Sequence, residues 1–378
     1  MGKQQGNRDG LASSETVPVG DGVLGRVIDQ EAEPLDGRGD IDAERRVTRL
    51  RLEHVADHPP HRPALLETGI KIIDLLTPLV HGGAVRLSGP PTGVGIMVNL
   101  GEFTRRLAMR GPGCTVYVGR QERPLAVKDL AREWREQGVD RLIATVVDRG
   151  DGRDDGRHAL ETALTIAAHF AAAGRDVLLA IEESAVAPDD LTRARAACSH
   201  SGGSGTITCV LLDIREDGGP RDSADGSMGG THLVFDAARA QRRVYPAIDP
   251  LRSASALLHG DALTAEHRQV ADRTRTLLAG YQALMLTVEG RGDAALLAAD
   301  DRTILARGRR VELFLTQPYH VAEAFTGLPG EDVPLARTIA DVAEIVVGRH
   351  DGLPERYFAY AGTLSDVLAK ARAAAAGE

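Results

Sequence analysis

The chain has 378 residues, 43% hydrophobic and 26% charged, which is enough apolar material for two domains with separate cores. Its 45 basic and 54 acidic residues give a net charge of −9, which argues against a general nucleic-acid binder or a protein drawn to anionic membranes. No apolar run approaches the length of a membrane span, and the polar start of the chain lacks a signal-peptide core. Cys114, Cys198 and Cys209 are few and unpatterned, so we expect reduced thiols and a cytoplasmic protein.

Strands and helices alternate through the middle of the chain, after a polar stretch at 1–16 that we expect to be disordered. Two amphipathic helices are predicted, one from Pro124 to the residue before Gly138 and one over 159–173. Runs that are apolar on both faces predict buried parallel strands at 115–119, 142–148, 177–181 and 206–212. This alternation predicts a doubly wound α/β domain with its ligand at the carboxyl ends of the strands.

The pattern becomes helical after residue 263. Apolar residues at helical spacing predict helices at 265–286, 294–314 and 335–347, and an alanine-rich helix from 364. We therefore expect a separate helical domain at the C-terminus.

A glycine- and proline-rich loop lies between a strand-like segment at 84–88 and a helix-like segment at 98–109. A phosphate-binding loop there needs backbone N–H groups, a Lys for the outer phosphates and a Ser or Thr hydroxyl for Mg²⁺. Pro90 and Pro91 lack a backbone N–H donor. Taken alone, such a cluster is more often an ordinary turn. The residues that could still face a nucleotide are Gly89, Gly93, Val94, Gly95, Ile96 and Met97.

Three further segments favour a phosphate-binding loop over an ordinary turn. They are LETGIKIIDLLTP at 66–78, YPAIDPL at 245–251 and QPYHVAEAFTG at 317–327. In this order they closely resemble the catalytic beta subunit of F-type ATP synthase, and the resemblance runs from about residue 17 to the C-terminus.

This resemblance implies a RecA-like P-loop NTPase domain, a parallel sheet with helices on both faces, followed by a helical C-terminal domain. The family's N-terminal β-barrel, which ties neighbouring subunits together, is almost entirely missing, so the oligomeric state stays open. The implied divisions are a disordered tail at 1–16, a remnant of the barrel and entry strand at 17–46, the nucleotide-binding domain at 47–263 and the helical domain at 264–378.

The same resemblance shows what the loop has lost. With one residue inserted, Ile96 takes the position of the family's Lys and Met97 that of the Mg²⁺ ligand, whereas an ungapped match places Gly95 and Ile96 there. Either alignment removes both polar groups. Since removing one preorganised charge-stabilising group typically costs about 100- to 1,000-fold in rate, we expect little or no hydrolysis.

Other catalytic positions are partly kept. Glu122 matches the carboxylate that orients the attacking water and Arg123 a neighbouring phosphate-side arginine, although both could simply lie near a helix N-terminus. The Walker B strand ends in Glu182 where the family has Asp. The longer side chain predicts a weak Mg²⁺ site, held through water.

The adenine pocket and the assembly surfaces give opposite indications. Tyr245, Tyr319 and Phe325 match the aromatic positions that hold the base of ATP or ADP, although they could instead be core residues at a domain junction. The segment after the Walker B strand is shortened. The acidic tip that faces the rotor in the family is mostly Ala and Leu at 295–301.

The sequence leaves three hypotheses. The first is a pseudoenzyme that binds adenine nucleotide with weak or no hydrolysis and acts through protein contacts, either with F1 alpha- and beta-type subunits at a membrane-bound complex or with a dedicated partner. The second is an active ATPase or synthase subunit in which Lys71, Arg86 or a partner's arginine replaces the missing Lys. The third is an interaction module without nucleotide.

Overall fold

The computed structural model describes residues 15–54, 64–120, 124–150, 156–198, 205–215, 230–291 and 297–376. Eleven helices lie within these ranges: α1 (Lys71–Leu76), α2 (Ile96–Arg110), α3 (Pro124–Glu136), α4 (Arg157–Ala172), α5 (Pro188–Cys198), α6 (Ala237–Gln241), α7 (Ala265–Arg291), α8 (Ala299–Phe314), α9 (Glu323–Thr326), α10 (Leu335–Val346) and α11 (Leu364–Ala376). The strands of the same ranges are β1 (Thr16–Val19), β2 (Val27–Asp29), β3 (Arg45–Thr48), β4 (Ala64–Leu66), β5 (Leu79–His81), β6 (Ala84–Gly89), β7 (Cys114–Arg120), β8 (Ile143–Asp148), β9 (Val177–Glu182), β10 (Ile207–Ile214), β11 (Thr231–Val234) and β12 (Ala254–Ser255).

Eight strands form one sheet in the order β12-β11-β6-β10-β9-β7-β8-β2. All neighbouring pairs are parallel except β11 with β12. The four predicted strands lie side by side as β10, β9, β7 and β8, and their residues are almost all buried. This arrangement, together with the helical C-terminal part, confirms the predicted RecA-like α/β fold.

Helices cover both faces of this sheet. On one face α2 packs against β6 and β7, and on the other α4 packs against β7, β8 and β9. The apolar core on the α2 side continues without a break into α7, α8 and α10 of the helical part. The two parts predicted as separate domains therefore share one core, while the face covered by α4 and α5 has its own.

The N-terminal strands, which were predicted to be a remnant of a β-barrel, belong in part to the large sheet. β1 and β3 form a two-stranded antiparallel sheet, whereas β2 joins the edge of the large sheet beside β8. β4 and β5 form a further antiparallel pair. Domain boundaries at 17–46, 47–263 and 264–378 stay a prediction.

Helix α2 begins at Ile96, two residues before the predicted start. Gly95 precedes it with φ 79° and ψ 33°, a left-handed conformation that glycine adopts without steric cost. The backbone and side-chain amides of Asn99 both donate to the Gly95 carbonyl oxygen, at 2.9 and 2.8 Å. The sequence pattern missed this start because no polar side chain caps it.

Among the described residues, none of the helices is both long enough and apolar enough to cross a lipid bilayer. The three cysteines are free thiols that lie in the core on the α4 side of the sheet.

Candidate functional site

The glycine-rich loop connects the end of β6 to α2 at the carboxyl edge of the sheet. Its two apolar side chains point inward: Val94 and Ile96 are 1% and 4% exposed and belong to the main core. A Cβ placed on Gly89 would lie 3.3 Å from the Ile96 Cδ1 atom and 2.9 Å from the Phe235 Cβ atom. Ile96 therefore packs on the end of the strand, and Met97 packs partly against the same core. The side chains that lie beneath the loop are therefore apolar.

The backbone of the loop keeps some capacity for anions. In the described part of the chain, the N–H groups of Gly93, Val94, Gly95, Ile96 and Met97 donate to no protein acceptor. Free N–H groups at the start of a helix attract phosphate through partial positive charge. The loop can therefore contact a phosphate through its backbone, but it supplies no side-chain charge and no oxygen for a metal.

Glu182 ends β9, and its side chain contacts β7. Its carboxylate accepts a hydrogen bond from the Tyr117 hydroxyl, and a second, at 3.4 Å, from the backbone N–H of Arg120. Both partners lie on β7, whereas β10 separates β9 from β6 on the other side. Burial, followed by the nearby Glu182 charge, raises the pKa of Tyr117 well above its usual value, so the hydroxyl stays protonated and donates.

Residues for Mg²⁺ are poorly matched to the ion. Mg²⁺ needs oxygen ligands in near-octahedral geometry, whereas the Met97 position offers a thioether and Glu182 is engaged by β7. Across the described residues, no group of three or more His, Cys, Asp or Glu side chains is gathered for a metal ion. The weak Mg²⁺ role of Glu182 stays a prediction.

Glu122 and Arg123 lie outside the described residues, so their predicted catalytic role stays a prediction. The described residues on either side are the end of β7, where Arg120 contacts Asp148 at 3.5 Å, and the first residues of α3.

The three predicted base-binding aromatics fall into two groups. Tyr319 is 6% exposed, and its hydroxyl donates to the Asn99 side-chain oxygen on α2 at 2.6 Å. Tyr245 and Phe325 are 38% and 68% exposed. The backbone N–H of Gln317 donates to the Tyr245 carbonyl oxygen at 3.0 Å. The structure thus brings the segments of Tyr245 and Tyr319 together and bonds Tyr319 to α2, while the side chains of Tyr245 and Phe325 are exposed.

The two side chains considered as substitutes for the missing lysine are engaged elsewhere. Lys71 is fully buried, and its ammonium donates to the Ala361 carbonyl oxygen and lies 4.3 Å from the centre of the Phe314 ring. Burial lowers the pKa of Lys71 to about 7. The Arg86 Nε atom lies 2.7 Å from a carboxylate oxygen of Glu183. These contacts connect Lys71 to the helical part and Arg86 to the residue that follows β9.

Sequence reasoning missed a buried polar network that begins in the second turn of α2. The Glu102 carboxylate, which is 0% exposed, accepts the backbone N–H groups of His320 and Val321 at 3.2 and 3.1 Å. It also pairs with Arg106 at 2.6 Å, and Arg106 donates to the Glu331 carbonyl oxygen at 2.6 Å. The available signal was a Glu and an Arg four residues apart. Such pairs also occur on solvated helix faces, so the spacing alone does not indicate burial.

Comparison with known families agrees with part of this picture. Residues 69–199 match the model of the ATP synthase alpha/beta family, nucleotide-binding domain. The match covers a minority of the chain but includes β6, the glycine-rich loop, α2 and β9. It supports the resemblance at the level of this family and does not distinguish a beta-type from an alpha-type subunit.

Proposed function

We propose that this chain, whose residues 69–199 match the ATP synthase alpha/beta nucleotide-binding domain, is a beta-like pseudoenzyme that binds ATP or ADP weakly. It hydrolyses little or no nucleotide and acts through contacts with other proteins. Its RecA-like domain spans 47–263 and its helical domain 264–378 in this proposal.

The burial of Ile96 is the observation that carries the proposal. Phosphoryl transfer depends on charges placed where negative charge develops. Here Ile96, the residue at the start of α2, packs against Gly89 in the main core and contributes no charge. Loss of the Lys and the metal hydroxyl together removes two such groups, each worth about 100- to 1,000-fold in rate.

Binding without turnover is supported by what remains. The free N–H groups of the loop can hold a phosphate, and the exposed rings of Tyr245 and Phe325 can stack on a base. A phosphate without lysine and metal contacts loses charge-assisted hydrogen bonds worth about 1.5–3 kcal/mol each. We therefore expect dissociation constants near the millimolar range.

The test restores the missing groups. We expect the double substitution Ile96→Lys and Met97→Thr to tighten ATP binding by about tenfold or more, since one charged hydrogen bond is worth roughly that factor, and to make binding respond to Mg²⁺. Calorimetric titration of ATP with and without Mg²⁺ measures both. The matched control is Ile96→Met with Met97→Leu, which keeps both side chains apolar and should leave affinity unchanged.

Two results would favour the other hypotheses. Steady-state hydrolysis by the unmodified chain, alone or mixed with alpha-type subunits, that disappears on Glu122→Gln would indicate an active catalytic subunit. Absence of saturable binding at millimolar ATP, in the unmodified chain and in the restored variant alike, would indicate an interaction module without nucleotide.

The proposed partners are F1 alpha- and beta-type subunits or a dedicated protein, because the family assembles from such subunits. Affinity purification of the full chain under low-salt conditions identifies them. Recovery of F1 subunits in fixed proportion would support the first choice, and recovery of an unrelated protein in their place the second.

A further inference from the structure

A second hollow lies at the opposite end of the sheet from the glycine-rich loop. It measures about 290 Å³ and lies between the C-terminal half of α2 and the first residues of β6, β9 and β10. The antiparallel pair of β4 and β5 closes one side. Both β6 and α2 reach from the glycine-rich loop to this hollow.

The walls of the hollow are mainly apolar. Its deepest residues are nearly inaccessible to solvent: Val85 is 0%, Val210 1% and Leu178 2% exposed. The apolar side chains that line it are Leu65, Leu66, Leu79, Val85, Phe103, Leu107, Leu178 and Val210. A site with mainly apolar walls favours a ligand that is itself mainly apolar.

Polar groups converge at one side of the hollow. The His81 Nε2 atom lies 2.9 Å from the Thr206 hydroxyl oxygen and 3.3 Å from the Asp176 Oδ1 atom. Thr206 donates to the same Asp176 oxygen from its hydroxyl at 2.7 Å and from its backbone N–H at 3.1 Å. These contacts hold the carboxylate in place, and they all involve Oδ1. Its other oxygen can accept a hydrogen bond from a ligand.

On the other side, Arg110 closes the hollow without adding free charge. Its guanidinium donates to the Glu67 carbonyl oxygen and to Asp332 Oδ1, the second at 2.9 Å. The positive charge there is paired, so the polar side of the hollow favours a ligand that donates a hydrogen bond over one that carries an anion.

From this geometry we infer that the hollow binds a compact apolar molecule, about the size of two fused rings, that carries one hydroxyl or amine donor. The size follows from comparison with an engineered apolar cavity of roughly 150 Å³, which accepts benzene. A mostly apolar pocket with a few placed polar groups is the usual form of a small-molecule site. The donor group points to Asp176, and the rings contact Phe103 and Leu107.

The test uses 2-naphthol and naphthalene as probes, measured by ligand-observed NMR and calorimetry on the full chain without nucleotide. Failure here is thus independent of the ATP measurements. We expect saturable binding of 2-naphthol. Leu107→Phe and Leu66→Phe, which fill the space from two different elements, should each weaken binding by at least about tenfold, the factor that corresponds to about 1.4 kcal/mol. Leu130→Phe on α3, a partly buried leucine outside the hollow, is the matched control and should bind as the unmodified chain does.

The donor position has its own variant. Asp176→Ala should weaken 2-naphthol about tenfold, as expected for a lost hydrogen bond to a charged group, and leave naphthalene unchanged. The inference is overturned if 2-naphthol shows no saturable binding up to its solubility limit, or if binding survives in either folded filling variant. An equal effect of Asp176→Ala on both probes overturns the assignment of the donor. If one of the two leucine-to-phenylalanine variants does not fold, the binding measured with the other variant tests the inference.

Discussion

The first and second turns of α2 carry opposite chemistry. The first turn begins with Ile96, which packs on the end of β6, and with Met97, which packs partly against the same core. The second turn carries Glu102, a fully buried carboxylate paired with Arg106 and bound to the backbone of the helical part. In an enzyme of this fold the charge of the helix start would face phosphate. Here the charged groups of α2 join two parts of the molecule.

This difference indicates that the charged side chains of α2 hold the structure together and do not serve phosphate binding. A buried ion pair is costly to desolvate and persists only when its remaining hydrogen-bonding capacity is met. Glu102 and Arg106 meet that condition through His320, Val321 and Glu331. The loop offers backbone N–H groups to an anion and no charged side chain. The helix is thus organised as a support between the sheet and the helical part.

The largest expected effect tests that support. Glu102→Ala leaves Arg106 buried without its partner and two backbone N–H groups without an acceptor, so we expect a loss of about 3–5 kcal/mol in the free energy of unfolding. Urea denaturation measures it. The control is Arg132→Ala, which removes an exposed ion pair on α3 and should cost less than about 1 kcal/mol. Similar costs for the two variants would contradict a special role for the network.

A smaller effect is expected on nucleotide affinity. Phe325→Ala removes an exposed ring that can stack on adenine, which should weaken ATP binding by about 1–3 kcal/mol. Because the ring packs little in the free protein, stability should stay nearly constant. Calorimetric titration and thermal unfolding check the two expectations. Leu286→Ala, another exposed apolar residue, is the control, and equal binding by both variants would argue against a base-binding role for Phe325.

The third prediction concerns pH. Burial lowers the pKa of Lys71 to about 7, whereas a free lysine has 10.5. Between these values the unfolded chain binds more protons than the folded one, so the free energy of unfolding rises with pH there, by up to about 1.4 kcal/mol per pH unit. Below about pH 7 both states are protonated, and this contribution to the slope vanishes.

Lys71→Met should flatten that rise, because methionine has no charge to desolvate. Urea denaturation at several pH values from about 7 to 10 measures the slope for both proteins. Lys370→Met provides the comparison: burial also lowers the pKa of Lys370, but this side chain is partly exposed, so the change in slope should be smaller. An unchanged slope in Lys71→Met would show that Lys71 titrates at its ordinary pKa.

The smallest effect separates the two groups of aromatics. Tyr319→Phe removes the hydroxyl bonded to Asn99 and should cost about 1 kcal/mol of stability, the usual net value of one hydrogen bond. Tyr245→Phe removes a hydroxyl from an exposed ring and should cost less. Urea denaturation of the two variants measures both losses of stability. Equal losses would mean that the stability of the junction does not depend on the Tyr319 hydroxyl.

Much of the sheet could be predicted because its strands are buried on both faces. The runs at 115–119, 142–148, 177–181 and 206–212 became β7, β8, β9 and β10, since an apolar run of this length has few other ways to hide both sides. β2 was not recognised as a member of the sheet. It is a short edge strand, and its pairing with β8 depends on contacts between residues far apart in the sequence.

By itself, the sequence determined that this chain has the strand–loop–helix order of a phosphate-binding domain without the Lys and the hydroxyl that such a loop uses. Residue type and residue order are the same in the folded and the unfolded chain, so the sequence alone establishes both. Only the tertiary structure decided the directions of the side chains: Ile96 toward the core, Glu182 toward β7, Lys71 toward Phe314 and Glu102 toward the helical part. Direction depends on which distant segments pack together, and that information is absent from local patterns.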